Sequence, residues 1–200
     1  MKNSNTEDNI LRAATAVFQK RGLAGARMQE IADEARINKA MLHYYYRSKQ
    51  KLFEAVFIQA FKELVPHING IFNSEATVFE KIRRFVDRYI SFVMENPFLP
   101  TFLIQEINNN PEFAKTFFSA NIAPKPILFE QQISEEIKNG NLLPVDPKQL
   151  LLNLISLSAF PFVGRGLVKE ILKLDDQSFQ AMMVERKSLI AELIINSIKA

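Results

Sequence analysis

The 200-residue chain contains no cysteine, no tryptophan and only two histidines. Without cysteine it has no disulfide framework, no thiolate ligands for zinc and no thiol nucleophile. His43 and His67 have no neighbouring serine–aspartate pair, and no H-E-x-x-H motif, phosphate-binding glycine loop or D-x-D metal loop is present. We therefore expect no enzymatic activity, no metal site and no cofactor.

Glycine and long apolar runs are also scarce. Six glycines are too few for an all-β protein, which needs many special turns. The longest apolar run, near residues 150–163, is interrupted by polar residues and by Pro161, and it is shorter than the roughly 20 residues that span a bilayer. The N-terminal segment MKNSNTEDNI is too polar for a signal peptide. These absences predict a cytoplasmic protein with no membrane partner.

What the chain does have is apolar residues at helical spacing along most of its length. Helix start and stop signals predict ten helices, at residues 6–21, 27–35, 38–45, 48–70, 77–96, 98–109, 111–118, 127–139, 146–160 and 176–198. Gly22 is expected to end the first helix, and Pro66 to kink or end the fourth. Thr77 with Glu80 predicts a capping box at the start of the fifth. The sequence therefore predicts an all-α fold.

Positive charge is concentrated near the N-terminus. Residues 1–65 carry eleven Lys and Arg against seven Asp and Glu, whereas residues 66–200 carry fourteen against fifteen. The net charge of the whole chain is only +3, so the distribution is more informative than the total. It places any contact with a polyanion in the first third of the chain.

The segment INKAMLHYYYRSKQKLF, residues 37–53, contains three of the four tyrosines and several of these cations. At 100° per residue, Leu42, Tyr46 and Tyr45 face inward on the third helix, while His43 and Tyr44 face outward. A short helix precedes it after a tight turn. This arrangement predicts a helix-turn-helix with phosphate-binding groups on both flanks. A solvated helical hairpin with an aromatic core fits the same pattern, and the residues alone leave both interpretations open.

Residues 27–52, RMQEIADEARINKAMLHYYYRSKQKL, resemble the TetR family of bacterial transcription regulators. The family pattern here is close to T-x-x-x-I-A-x-x-A-G-V-S-x-G-x-L-Y-x-Y-F-x-S-K-E-x-L. The upstream stretch AATAVFQKRGLAGA also resembles the family's first helix, so the likeness covers roughly residues 6–55. Among its departures from the pattern, Arg27, Arg36, Ala40 and His43 replace threonine, glycine, glycine and tyrosine.

The resemblance implies a division into two domains. Residues 1–52 would form a three-helix helix-turn-helix domain that binds DNA. A long helix would join it to a larger helical domain, residues 53–200, for ligand sensing and dimerisation. The positions carried over for DNA contact are Arg27, Met28, Gln29, Lys39, Ala40, Met41, His43, Tyr44, Tyr45 and Lys49.

By the same resemblance, the chain is expected to be a ligand-responsive repressor. It would bind a palindromic operator in double-stranded DNA as a homodimer, and an unknown small apolar or aromatic effector would release it. The alternative is an all-helical adaptor that binds a protein partner and no DNA. DNA binding, unlike the adaptor function, must weaken steeply as salt rises.

Two further sets of residues are candidates in the larger domain. The candidates for effector binding are Phe85, Arg88, Tyr89, Phe92, Phe102, Gln105, Phe117, Phe118 and Phe160. The candidates for the dimer interface, on the helices near 150–160 and 179–194, are Leu150, Leu154, Leu157, Met182, Met183, Ile190, Leu193 and Ile194. At this stage both sets fit an ordinary packed core as well.

Overall fold

The computed structural model describes residues 2–119, 124 and 126–200, with the side chains of residues 2–4, 116, 118 and 119 outside the description. The described part of the chain is helical: α1 (Lys2–Gly25), α2 (Met28–Glu34), α3 (Lys39–Tyr45), α4 (Lys49–Phe72), α5 (Val78–Glu95), α6 (Leu99–Asn109), α7 (Pro111–Ser119), α8 (Ile127–Lys138), α9 (Pro147–Val163), α10 (Arg165–Leu172) and α11 (Asp176–Ile198). Extended pairing within it is limited to an isolated bridge between Leu142 and Lys199. The predicted all-α fold is confirmed.

The chain divides into two compact units, Met1–Glu63 and Leu64–Ala200. The division falls inside α4, which supplies residues to both units. The narrower DNA-binding segment predicted from the sequence, residues 1–52, stays a prediction, because compactness does not identify the residues that contact DNA.

The predicted helix signals have clear structural counterparts. The backbone leaves the helical conformation at Gly22, where φ is 67° and ψ is 174°, before a last turn to Gly25. The Thr77 hydroxyl accepts from the Glu80 amide while the Glu80 carboxylate accepts from the Thr77 amide, which completes the capping box. Asp146 caps α9 by accepting from the Lys148 amide. Local side-chain chemistry therefore sets these helix starts.

The helices differ from the sequence analysis in two places. Pro66 was expected to kink or end α4, and it does not end the helix, which continues to Phe72. Proline removes one helical hydrogen bond, but Pro66 and the residue four earlier, Lys62, are both exposed, so water can satisfy the carbonyl that is freed. The sequence also failed to predict α10, which begins beside Gly164 and contains Gly166, two residues that disfavour helix.

The unit Leu64–Ala200 is built around α5 and α11, which pack along each other. Arg83 of α5 pairs with Glu192 at 2.7 Å, and Lys187 of α11 pairs with Asp87 at 3.0 Å. Helix α9 packs against both, with Leu150 and other residues of its inner face buried. These contacts fix the register of the three helices.

A cation replaces a missing helical hydrogen bond in α9. Pro161 lies inside this helix and has no N–H to donate to the Leu157 carbonyl four residues earlier. The Nε and Nη2 atoms of Arg186 in α11 both donate to that carbonyl at 3.1 Å. Burial lowers the pKa of Arg186 from its ordinary value. The guanidinium therefore lets α9 continue through a buried proline.

No single described helix is long and apolar enough to cross a membrane. The bent pair formed by Pro147–Val163 and Arg165–Leu172, which meet at 77°, meets that test on length and composition alone.

Candidate nucleic-acid interface

The first unit has a small core that holds α2 and α3 against α1. Ile31 and Ala32 of α2 and Leu42 of α3 are fully buried. Phe18 of α1 meets Phe53 of α4 edge to face, with ring centroids 4.7 Å apart. Leu42 is the only side chain of α3 that is buried, so nearly all of this helix is available for contact with a partner.

The turn between α2 and α3 is a Schellman motif. The amides of Arg36 and Ile37 donate to the carbonyls of Asp33 and Ala32, each at 3.0 Å. Arg36 takes the left-handed position of this motif, with φ of 54°. The Asn9 side chain donates to the Ala35 carbonyl at 2.7 Å and ties the turn to α1.

Helix α3 begins at a capped end and presents a mixed polar face. The Asn38 side chain accepts from the Met41 amide at 2.7 Å. Outward-facing positions are exposed, including Tyr44 at 84% and Met41 at 43%. The exposed positions of α3 among the predicted DNA contacts are Lys39, Ala40, Met41, His43 and Tyr44. A short helix with one buried leucine and such a face can enter a groove of DNA.

The three consecutive tyrosines divide between the surface and the interior. Tyr44 points outward, whereas Tyr45 and Tyr46 are half-buried. The Tyr46 hydroxyl donates to the Glu7 carboxylate of α1 at 2.9 Å. Burial, and then this hydrogen bond, hold the pKa of Tyr46 well above its ordinary value. Tyr46 therefore stays a neutral donor that anchors the end of α3 to α1.

Comparison with known proteins agrees with this geometry. Residues 10–56 match the family described as bacterial regulatory proteins, tetR family. The probable HTH-type transcriptional regulator YttP of Bacillus subtilis is 23% identical over 171 residues, which cover 84% of this chain and 82% of YttP. Residues 10–56 of this chain therefore form a TetR-family DNA-binding domain.

Two further similarities support the assignment. The HTH-type transcriptional repressor NicS of Pseudomonas putida is 43% identical over 68 residues, which cover 34% of this chain and 28% of NicS. A crystal structure of a TetR-family transcriptional regulator from Mesorhizobium loti superposes over all of both chains, with a TM-score of 0.66 and 18% identity. At that identity the second likeness shows the fold alone. The chain is thus a DNA-binding transcription regulator and not an enzyme.

The predicted DNA contacts on α2 surround the start of that helix. Arg27 is the N-cap residue and is exposed, and its side chain makes no capping hydrogen bond. Gln29 is exposed and donates to Asp33 at 2.7 Å, while Met28 is half-buried. The guanidinium of Arg27 is therefore not used by the cap.

Lys49 has a structural partner that the sequence did not predict. Its ammonium donates to the carbonyls of Ala24 at 3.2 Å and Ala26 at 3.0 Å, between α1 and α2. The contact is 23 to 25 residues away along the chain, so no local pattern could have shown it. Contact of Lys49 with a DNA phosphate stays a prediction. The same ammonium also ties the start of α4 to the segment between α1 and α2.

The candidates for effector binding fall into three groups. The buried ones are Phe85, Phe92, Phe102 and Phe117. Arg88 and Tyr89 are half-buried, Gln105 and Phe160 are exposed, and the Phe118 side chain lies outside the described residues. Ring contacts join Phe85 to Tyr89 at 5.7 Å and Phe102 to Phe113 at 5.6 Å. The structure thus brings the candidates Phe85 and Tyr89 together. Phe113, which was not a candidate, contacts both Phe102 and Phe117, and Phe160 is instead on the surface.

The candidates for the dimer interface are mostly on the inner faces of their helices. Leu150, Leu154, Met183, Ile190 and Ile194 are buried within the unit, Leu157 and Met182 are half-buried, and Leu193 is 54% exposed. The same helices expose other apolar side chains, namely Leu152, Ile155, Phe160, Val184 and Leu189. The sequence had not singled out most of these, because both helices are apolar on two faces.

Proposed function

We propose that this chain is a cytoplasmic repressor that binds a palindromic operator as a homodimer and releases it when an effector binds. The observation that supports it most strongly is the outer face of α3. This face carries a cation, a phenol and small or polar side chains on a helix whose inner side is a single buried leucine. A surface of that composition suits a phosphate-lined groove.

The exposed side chains are assigned to two kinds of contact. Lys39, Tyr44 and Arg27 would bind phosphates, because an ammonium, a phenol and a guanidinium all donate hydrogen bonds to oxygen anions. Met41 and His43 would face base edges, and small Ala40 would permit close approach. The first group sets affinity for any duplex, and the second sets the preferred sequence.

A second copy of the chain is the proposed partner of the exposed apolar faces of α9 and α11. Leu189 and Leu193 lie four residues apart on one side of α11, each more than half exposed. Leu152 and Ile155 form a similar stripe on α9. Apolar patches of this kind mark interfaces, and two antiparallel pairs of helices form a four-helix bundle. Two copies would read half-sites about 34–36 Å apart, or a multiple of that spacing.

Effector binding would act through the balance between two states of the dimer. An effector that binds one state more tightly shifts the population toward it, and DNA is released when that state does not fit the operator. The aromatic interior around Phe85 and Phe102 is the proposed place for the effector, because binding sites are mostly apolar with few polar groups.

DNA binding is tested by fluorescence anisotropy with the intergenic DNA beside the gene and a scrambled duplex. Lys39→Ala should weaken both complexes equally and reduce the salt slope by about one. Met41→Ala should change base preference, by roughly 1–3 kcal/mol at the contacted position. Lys62→Ala, which removes an exposed charge of the same unit outside α3, is the control. No sequence-selective binding at low salt would refute the proposal.

Dimerisation is tested by light scattering with a charge placed on the exposed face. Leu189→Glu should give a monomer that no longer binds the full palindrome, because a buried unpaired carboxylate is unfavourable at an interface. Ile104→Glu makes the same change at a residue of α6 that is 47% exposed, and it should leave the dimer intact. A wild-type protein that is monomeric at micromolar concentration, or two variants that behave alike, would contradict the proposed interface.

A further inference from the structure

Arg88 of α5 has a buried donor atom that makes no hydrogen bond within the described part of the chain. This atom is Nε, and no acceptor among the residues that the structure describes lies within hydrogen-bonding distance of it. Other cations of the same unit are satisfied: Arg83 by Glu192, and Lys187 by Asp87 and Ser91. A buried donor without an acceptor costs the full desolvation of that group, and the cost is larger for a charged one. The guanidinium of Arg88 therefore lowers the stability of the unit rather than raising it.

Ser158 of α9 also has a buried polar atom without a hydrogen-bond partner in the described part of the chain. Its side chain is fully buried, and this atom is the hydroxyl oxygen. A serine inside a helix ordinarily donates to the carbonyl four residues earlier, here that of Leu154. The hydroxyl does not make that bond, so it is available to a group from outside the helix.

The contacts of α11 place Arg88 and Ser158 at the same level of the helical unit. Arg186 donates to the Leu157 carbonyl, and Leu157 immediately precedes Ser158. The next residue, Lys187, bonds to Asp87, which immediately precedes Arg88. Two consecutive residues of α11 therefore contact the neighbours of the two unsatisfied groups, on helices that pack against each other.

The side of α5 that carries Arg88 is aromatic. Phe85 and Phe92, three residues before and four after Arg88, share its side of the helix and are buried. Tyr89 stacks on Phe85, and burial raises its pKa to about 12. Phe85, Tyr89 and Phe92 thus offer Arg88 no carboxylate.

We propose that Arg88 and Ser158 bind the carboxylate of an effector whose apolar body packs on the phenylalanines beside them. A guanidinium suits a carboxylate because its N–H groups match the two oxygens, and a serine hydroxyl adds a further donor. The bound acid supplies the acceptor that both groups lack. This inference rests on the proposed effector response, and it narrows the small apolar or aromatic effector to an apolar organic acid.

The first test needs no ligand. Arg88→Met keeps an apolar stem and removes the unpaired charge, so it should raise the Tm of the ligand-free protein by about 3 °C. Ser158→Ala should leave the Tm unchanged or higher for the same reason. Lys187→Met, which removes a paired cation from the same level of the unit, should lower it. A fall in Tm with Arg88→Met would show that Arg88 is a structural residue and overturn the proposal.

The second test uses a series of straight-chain and aryl-alkyl carboxylic acids, each beside its uncharged amide, with acetate as the ionic control. Acids with an apolar body should raise the Tm of wild type, and their amides and acetate should not. The rise in Tm should vanish in Arg88→Met. In Ser158→Ala, about ten times more acid should be needed to produce the same rise. Equal shifts for acid and amide, a shift that survives in Arg88→Met, or no shift at millimolar concentration would each overturn the proposal.

DNA binding separates this inference from the proposed function. Arg88→Met lies outside α1 to α3, so it should still bind operator DNA and lose only the response to the acids. If wild type binds no DNA, the repressor proposal fails whatever the acids do. If it binds DNA and does not distinguish acid from amide, the carboxylate site alone fails.

Discussion

Replacing Arg36 by glycine should stabilise the protein. Arg36 is held at φ of 54° because the Schellman motif needs a left-handed residue between Ala35 and Ile37. A residue with a Cβ pays about 1–2 kcal/mol in this conformation. Glycine avoids that cost, but it makes the unfolded chain more flexible, which lowers the free energy of unfolding by about 0.5–1 kcal/mol. The expected net gain in the free energy of unfolding for Arg36→Gly is therefore about 0.5–1 kcal/mol.

Urea unfolding at a fixed protein concentration measures this gain. The midpoint should rise while the m-value stays constant, since the surface exposed on unfolding does not change. In a thermal scan the Tm should rise by about 1–4 °C for a chain of this size. Arg36→Ala is the matched control, because it removes the same charge and keeps the Cβ. Arg36→Ala should show no such gain.

DNA affinity gives an independent measurement on the same two variants. Both lose the Arg36 charge beside α3, so any phosphate contact of that side chain is lost equally in glycine and alanine. Salt dependence should then fall by the same amount in both. If Arg36→Gly is no more stable than Arg36→Ala, the turn does not strain Arg36 and the reasoning is wrong.

Three further substitutions test contacts inside one unit or the other. Lys49→Ala should lower the free energy of unfolding by about 1.5–3 kcal/mol, because two carbonyls lose a charged donor, and Lys49→Arg should restore part of it in urea titrations. Arg186→Ala should lower the free energy of unfolding of the wild type by a similar amount. It should lower it much less in a Pro161→Ala background, where the alanine N–H can bond to the Leu157 carbonyl. A double-mutant cycle that shows no coupling between the two substitutions would contradict this. Thr77→Ala should cost about 1 kcal/mol and Thr77→Ser little, and equal Tm losses would argue against the capping box.

Local patterns in the sequence were sufficient for most of the helices. The inward position of Leu42 and the outward position of Tyr44 follow from helical periodicity, and Thr77 with Glu80 marks a helix start by direct hydrogen bonds. These features depend on residues three or four apart. Periodicity and capping describe that range, so predictions within it were reliable.

Features that depend on distant contacts could not be predicted in this way. Lys49 bonds to carbonyls near the end of α1, and Arg186 to a carbonyl of α9, and neither partner is signalled by the residues beside them. Helices α9 and α11 raise a different difficulty. Both are apolar on two faces, so periodicity cannot say which face is the core, and residues such as Leu150 and Ile190 proved to be inside.

The four main departures from the TetR pattern lie on the surface of the helix-turn-helix. Arg27, Arg36, Ala40 and His43 differ from the family's usual residues, and all four are exposed. Positions that match the pattern and are buried, such as Leu42, hold the helices together. These four departures therefore lie on the surface proposed to face DNA, whereas the half-buried Ile37 and Tyr46 replace the pattern's valine and phenylalanine with residues of similar shape. Since a surface change alters the operator without altering the fold, restoring tyrosine at His43 should change the preferred DNA sequence and leave the Tm unchanged.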